Sequence, residues 1–296
     1  MKSYLKSIAC LFFIGTASLS AAETPVMFTQ LSGRSTSNDI WVEITRQGLE
    51  KNNIKYNYVV DTCATSVEAW NKAGNRDPAV MLYSSNWLRH ALVSGNPCQV
   101  KDHDRVTVLG SMRAPWLLCR NKKTSRPWDA AGVTLGYHAP STPGKDIVKD
   151  INASNGWKWK AVSTKGSAEN LLLLTNGDLD YGFIAAPYAR SKIGPNSPLE
   201  CVLSWKRGDS LPFFLDRIKM ANDPSELLYY TQVIIAKNLN PAQEKALRDT
   251  YNIKINQQFR DWVTNQGDYI PPTESGEKYM KRFENSVKSA IEKYGD

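Results

Sequence analysis

Short β-rich runs alternate with helical patterns along most of the chain, and this alternation limits the possible folds more than any other feature. Strands are predicted at residues 26–29, 55–60, 79–83, 133–136, 157–161, 181–185, 201–204 and 232–236, with two further short extended segments at 106–109 and 116–119. Helical spacing is present at residues 39–51, 67–73, 87–93, 145–151 and 168–175. A strand, a polar loop and a helix in repeated order predict the layered α/β class.

The last part of the chain is predicted to be helical. Asn240 before Pro241 is a typical helix start. Two buried helix faces are expected, and we interpret both as packing surfaces rather than cofactor sites. The first consists of Ile255, Phe259, Trp262 and Val263, and the second of Tyr279, Met280, Phe283, Val287, Ile291 and Tyr294.

The N-terminus has the features of a secretory signal peptide at residues 1–22. Lys2 and Lys6 give a positive start, residues 8–19 are mostly apolar, and residues 20–22 are small. The 12-residue apolar stretch is shorter than the roughly 20 residues that span a bilayer. A lipoprotein modified at Cys10 is a less favoured alternative. We therefore expect cleavage after Ala22 and export to the periplasm of a Gram-negative bacterium.

The charge excess is moderate. The 37 basic residues fall to 35 when Lys2 and Lys6 are removed, against 29 acidic ones. These charges are spread along the chain, whereas nucleic-acid binding requires a basic cluster on one face or arm. The excess weakly favours anionic ligands and argues against a nucleic-acid partner. A mature chain of this length usually folds into two domains.

Four cysteines remain after cleavage, namely Cys63, Cys98, Cys119 and Cys201. An even number in an exported chain predicts two disulfides, with three possible connectivities. Metal binding would need close pairs, and the nearest two of these cysteines are 21 residues apart. The three histidines, His90, His103 and His138, also lack metal-ligand spacing, so neither a metal nor a cofactor is expected.

Enzyme motifs are mostly missing from the sequence. It contains no nucleophile elbow, no zinc-protease motif, no phosphate-binding Walker loop and no dinucleotide-binding glycine motif. No catalytic residue is predicted, although a dispersed hydrolytic site stays open as an alternative.

Polar loops lead into helix N-termini in both halves of the chain. Free backbone N–H groups and the positive end of the helix dipole make such loops suitable for anions, at roughly 0.3–1 kcal/mol per charge. Ser167 is predicted to cap the helix at residues 168–175, and Gly177 to end it. Several such loops around one cleft could hold a carboxylate without a salt bridge.

Two segments carry a resemblance to a known family. Residues 165–168 read K-G-S-A, and residues 176–183 read N-G-D-L-D-Y-G-F, with Pro187 shortly after. Residues 83–85 and the order of the C-terminal elements are similar as well. The chain thereby resembles the substrate-binding receptors of tripartite tricarboxylate transporters, also called Bug-type proteins, which have the type II periplasmic binding protein fold. The resemblance covers nearly the whole mature chain at low identity.

This resemblance implies a two-lobed α/β fold with a ligand cleft between the lobes. Lobe 1 would contain residues 23–119 and 229–296, and lobe 2 would contain residues 120–228. The chain would act as a monomer that binds a small mono-, di- or tricarboxylate and delivers it to membrane permease subunits. With these bounds, we expect Cys63 to pair with Cys98 within lobe 1. Cys119, on the strand that enters lobe 2, would pair with Cys201 on a strand late in that lobe.

The ligand would be held by amides, hydroxyls and waters of five loops. The residues that would carry this role are Ser32, Arg34, Ser35, Ser37, Thr62, Thr65, Ser66, Ser84, Ser85, Asn86, His138, Ser141, Thr142, Lys165, Gly166, Ser167 and Ala168. The first loop departs from the family, because residues 32–39 keep one glycine where the family has several. Arg34 could then enter the cleft and change the class of ligand.

Three other functions stay open. One is a receptor for another transporter class that handles a different anion. The second is a binding protein that signals to a sensor kinase, and the third is an exported α/β enzyme.

Overall fold

The structure is a computed structural model that describes residues 24–30, 36–60, 63–84, 88, 92, 100, 105–138, 144–221, 229–266, 268–270 and 275–294. Among these residues the strands are β1 (Val26–Gln30), β2 (Tyr56–Val60), β3 (Ala79–Ser84), β4 (Thr107–Asn121), β5 (Thr134–His138), β6 (Lys160–Thr164), β7 (Tyr181–Ala185), β8 (Leu199–Ser204), β9 (Tyr229–Lys237) and β10 (Asp268–Ile270). The helices are α1 (Thr36–Lys51), α2 (Cys63–Ala73), α3 (Gly144–Asn155), α4 (Ser167–Asn176), α5 (Ala186–Lys192), α6 (Pro241–Thr250), α7 (Gln257–Gln266) and α8 (Gly276–Tyr294). The α/β class predicted from the sequence is confirmed.

The strands form two sheets that share β4. In the first sheet the order is β2-β1-β3-β9-β4; β1 is parallel to β2 and β3, and β9 is antiparallel to β3 and β4. In the second sheet β5 lies between β6 and β7 and is parallel to both. There β4 pairs with β7 on one side and with β8 on the other, antiparallel to each.

The long strand β4 passes from the first sheet into the second. Pro115 is paired with Tyr229 of β9, and the next residue, Trp116, is paired with Ala185 of β7. The sequence predicted two separate short segments here, and the structure has one continuous strand of 15 residues. Pro115 lacks a backbone N–H, and proline is tolerated where a strand changes its partners. The division into lobes at residues 23–119, 120–228 and 229–296 remains a prediction.

Apolar side chains cover both faces of the sheets. One large core contains Phe28, Trp41 and Trp205, a second packs α2 and α8 against the first sheet, and a third packs α4 and α5 against the second sheet. The two predicted helix faces differ in outcome. Met280 and its neighbours on α8 are buried, as expected, and so are Phe259, Trp262 and Val263 of the other face, but Ile255 of that face is 62% exposed. Ile255 precedes the first residue of α7, so the helical spacing does not extend to it.

Two predicted boundaries move by several residues. Helix α2 begins at Cys63, four residues before the predicted start. Strand β6 begins at Lys160, whereas the sequence placed it at residues 157–161. Trp157 and Trp159 alternate with lysines as in a strand, yet their rings stack at 5.3 Å instead. The ladder with β5 therefore starts after them, at Thr134 and Lys160.

A disulfide joins Cys119 of β4 to Cys201 of β8. This is the pairing that the sequence analysis expected. The bond fixes the antiparallel contact between two strands that are 82 residues apart in sequence. Cys98 and the side chain of Cys63 lie outside the described part of the chain, so their pairing remains a prediction.

Candidate functional site

The carboxyl ends of parallel strands in both sheets lie beside the same stretch of β4. Ser84 at the end of β3 is level with Gln232 of β9, and Gln232 is level with Met112 of β4. In the second sheet, Ala185 at the end of β7 is level with Trp116. Met112 and Trp116 are about 13 Å apart along an extended strand. The strand ends of both sheets thus lie beside one short stretch of β4. We call this region the crevice, because ligands of open α/β folds bind outside the carboxyl ends of strands.

On the first sheet, hydrogen bonds from side chains hold the strand ends in place. The Ser66 hydroxyl donates to the backbone oxygen of Gln30 at 2.7 Å, and the Tyr58 hydroxyl donates to the Gln30 side chain at 2.7 Å. The amide of Gln232 donates to the side-chain oxygen of Asn38, the third residue of α1. The donor of Ser66, a predicted ligand residue, is therefore already used within the protein.

Ser84 is the first-sheet residue best suited to bind a ligand. It is 4% exposed, and no described residue forms a hydrogen bond with its hydroxyl. A buried hydroxyl without a partner costs about 1–3 kcal/mol, which a ligand group would recover. Thr65, by contrast, lines a different groove of about 380 Å³ between α2 and β2, together with Val59 and Glu68.

On the second sheet, His138 ends β5 beside the first turn of α4. A Cβ added to Gly166 would lie 3.5 Å from Cε1 of His138, so the imidazole packs against this glycine. The indole of Trp116 contacts the same imidazole edge-on, with ring centroids 6.2 Å apart. Burial lowers the pKa of His138 below its ordinary value, which keeps the ring neutral at pH 7.

The start of α4 differs from the prediction. Gly166 is the N-cap residue, with φ 153° and ψ −174°, and Ser167 is the first residue of the helix. The predicted cap by the Ser167 hydroxyl is wrong, because that hydroxyl accepts a hydrogen bond from the backbone N–H of Ala185 at 3.4 Å. The Ser167 hydroxyl thus bonds to β7 and does not cap its own helix. The predicted helix end at Gly177, in the left-handed conformation, is confirmed.

The first turn of α4 presents free backbone donors. Among the described residues, no acceptor is bonded to the N–H groups of Gly166, Ser167 or Ala168. The N–H of Lys165 is already bonded to the carboxylate of Glu169. Lys165 and Ala168 are exposed, while Gly166 and Ser167 are half-buried. The three free amides at the positive end of the helix dipole form a suitable cradle for one carboxylate.

The structure therefore brings Ser84 to one side of the crevice and His138, Gly166, Ser167 and Ala168 to the other. Other predicted site residues, namely Ser32, Arg34, Ser35, Thr62, Ser85, Asn86, Ser141 and Thr142, lie outside the described residues, as does the side chain of Ser37.

Some residues of the crevice were missed by the sequence reasoning. Gln30 directly follows the strand predicted at residues 26–29, and Asn38 directly precedes the helix predicted at residues 39–51, so a search for polar residues at these positions would have found both. Gln232 is the first residue of the strand predicted at residues 232–236, and only the antiparallel pairing with β3 brings it to the crevice. Nothing in the sequence marks Trp116 as a site residue, because an aromatic residue in a strand is usually a core residue.

Two further features bear on the class of protein. In the part of the chain that the structure describes, no helix has the length and apolar character needed to cross a membrane. Nor do His, Cys, Asp and Glu side chains of the described residues form a group that could hold a metal ion.

The two sheets, the shared strand and the crevice at its centre define the class: the chain has the two-lobed fold of type II periplasmic binding proteins. A TctC solute binding protein from Polaromonas is similar over 93% of this chain and 99% of its own, with a TM-score of 0.61 and 14% identity. The fold predicted by the family resemblance is thereby confirmed.

Two structures with bound ligands are also similar to this chain. An R. palustris protein solved with adipate matches 93% of this chain and 98% of its own, with a TM-score of 0.64 and 12% identity. MatC from Rhodopseudomonas palustris, with bound malate, matches 92% of this chain and 99% of its own, with a TM-score of 0.64 and 11% identity. No family model matches the sequence, and no curated protein is significantly similar to it. The likeness is one of fold.

Proposed function

We propose that this chain is a periplasmic solute-binding protein that captures a small carboxylate in the crevice beside β4 and delivers it to a membrane transporter. The observation that carries the proposal is the cradle of free amides at Gly166, Ser167 and Ala168, which faces the crevice where the strand ends of both sheets meet. An anion is the natural occupant of such a cradle.

The free amides of the cradle favour a carboxylate over a cation or an uncharged sugar, and two neutral groups nearby could add hydrogen bonds. His138 is uncharged at pH 7 and can donate one N–H. Ser84 adds a buried hydroxyl from the opposite side. Similar folds have been solved with adipate and malate, which supports a carboxylate here as well. Binding from two sheets would couple capture to closure of the lobes, the step that a transporter would recognise.

A ligand panel tests the proposal. Thermal-shift measurements with mono-, di- and tricarboxylates, sugars and amines should show stabilisation by carboxylates alone. A ligand at 100 times its Kd adds about 2.7 kcal/mol to the free energy of unfolding. Stabilisation by sugars or amines, with none by carboxylates, would contradict the proposal.

The proposed transport role and the proposed location are tested in cells. Removal of the signal peptide, residues 1–22, should keep the protein in the cytoplasm and abolish uptake of the carboxylate found in the panel. A strain that lacks the protein yet takes up this compound at the normal rate would refute the transport role. Light scattering on the purified mature chain should give the mass of a monomer with and without ligand.

A further inference from the structure

Trp116 occupies a special place in β4. It is the first residue of the strand to pair with the second sheet, beside Ala185 at the carboxyl end of β7. Its side chain is 9% exposed, so most of the indole is packed and a small part of it reaches the surface. The residues before Trp116 pair with the first sheet and those after it pair with the second, so its backbone lies where the two sheets meet.

A chain of contacts links this indole to the amide cradle. Trp116 contacts the imidazole of His138, and His138 packs against Gly166, the N-cap residue of α4. On the other side, Ala185 is paired with Trp116 and donates its N–H to the hydroxyl of Ser167. The neutral imidazole therefore borders the cradle, and the indole packs behind it.

A negative charge next to the cradle limits the number of negative charges that the ligand can carry there. The half-buried carboxylate of Glu169 lies in the first turn of α4 and is bonded to the N–H of Lys165. This carboxylate would repel any negative ligand charge near it, so each further negative charge on the ligand close to the cradle would weaken binding. At 4 Å, two like charges cost about 1 kcal/mol in water and more where water is excluded.

We infer that Trp116 is a specificity-determining residue that selects carboxylates whose charged group is attached to a flat, apolar body. The carboxylate would bind the amides at Gly166–Ala168, and the flat body would lie against the indole. Aromatic contacts of this kind favour a planar ring over a puckered ring of the same size. The inference rests on the proposed function and narrows its ligand class.

Benzoate and cyclohexanecarboxylate are the test pair, because they carry the same charge on rings of similar size and different shape. Calorimetry on the wild-type protein should give a Kd for benzoate about 2- to 10-fold lower than for cyclohexanecarboxylate. Trp116→Ala should bring this ratio close to one, and Trp116→Phe should restore it. Succinate, with two charges close together, should bind more weakly than benzoate.

A second readout does not depend on the fold of the alanine variant. Bound benzoate should change the tryptophan fluorescence of the wild-type protein, and Trp116→Phe should lose most of this change while it still binds benzoate. Trp157→Ala is the matched control, since Trp157 stacks on Trp159 at the opposite end of the second sheet. It should leave the benzoate ratio unchanged.

The outcomes separate the inference from the proposed function. Equal affinity of the wild type for both ring carboxylates, or a ratio that Trp116→Ala leaves unchanged, would overturn the inference and leave carboxylate binding intact. Failure of every carboxylate to bind the wild-type protein would overturn the proposed function and the inference together.

Discussion

The hydroxyl of Ser167 accepts a hydrogen bond from the backbone N–H of Ala185 at 3.4 Å. This contact ties the first turn of α4 to the carboxyl end of β7. It also leaves the capping of the helix to Gly166, which has no side chain to occupy the free amides. The position of the cradle therefore depends on a contact between two elements.

Substitutions at Ser167 should separate stability from affinity. Ser167→Ala removes one long hydrogen bond and should lower the free energy of unfolding by about 1 kcal/mol or less. Ser167→Asp places a fixed negative charge where the ligand carboxylate would bind. Like charges at 4 Å cost about 1–4 kcal/mol, so the Kd should rise between roughly fivefold and a thousandfold. Calorimetry and thermal melting measure the two effects.

Ser125→Asp is the control for this charge, because Ser125 lies in an exposed turn after β4. It should change neither the affinity nor the stability. Equal affinities of wild type and Ser167→Asp would remove the first turn of α4 from the site.

The two glycines at the ends of α4 should differ in their effect on binding. Gly166 has φ 153° and Gly177 has φ 83°, and an L-residue is strained at either angle. Alanine at either position should cost about 1–3 kcal/mol of stability. Gly166→Ala should also weaken ligand binding, because it shifts the cradle and adds a Cβ 3.5 Å from His138. Gly177→Ala should leave the Kd unchanged, and a similar loss of affinity in both variants would show that the effect is general destabilisation.

Ligand binding should strengthen as the pH falls from about 7 to 5.5. Burial lowers the pKa of His138, so the unfolded chain takes up a proton before the folded one does. The free energy of unfolding of the apo protein should therefore decrease as the pH falls below the ordinary histidine value of about 6.5. A bound carboxylate favours the protonated ring and so raises the pKa of His138, and binding therefore takes up a proton.

Calorimetry in two buffers with different ionisation enthalpies measures this proton uptake. His138→Gln keeps a neutral donor and should bind equally well at pH 8, without the increase at low pH. A pH effect that survives in this variant would assign the proton to another group.

The disulfide between Cys119 and Cys201 should contribute strongly to stability. The two residues are 82 positions apart, and a loop of this length corresponds to about 4.5 kcal/mol in the chain-entropy model. Replacement of both cysteines by alanine should lower the denaturant midpoint accordingly. The variant should still bind the same ligand in the cleft. Reductant added to this variant then isolates the second predicted bond, Cys63–Cys98. A non-reducing peptide map that shows crossed pairs would contradict the assignment of both bonds.

The sequence predicted elements well where the pattern is local. The capping box of α6 is one example, since Asn240 and Gln243 bond each other's backbone as the Asn-Pro start suggests. The apolar face of α8 is another, because its spacing continues over several turns. Predictions failed where a distant contact competed with the local signal. Serine is a favoured N-cap residue, yet the hydroxyl of Ser167 accepts a hydrogen bond from the N–H of Ala185.

The sequence by itself determined the α/β class, the polar loops before the helices and the glycine that ends α4. Strand alternation, helix periodicity and turn chemistry depend on residues that are close together in sequence. The tertiary structure alone decided which of these residues meet. Trp116 and Gln232 have no polar-loop signal and reach the crevice through the pairing of β4 with β7 and of β9 with β3. Strand pairing between residues far apart in sequence depends on the packing of the whole chain, which no local pattern encodes.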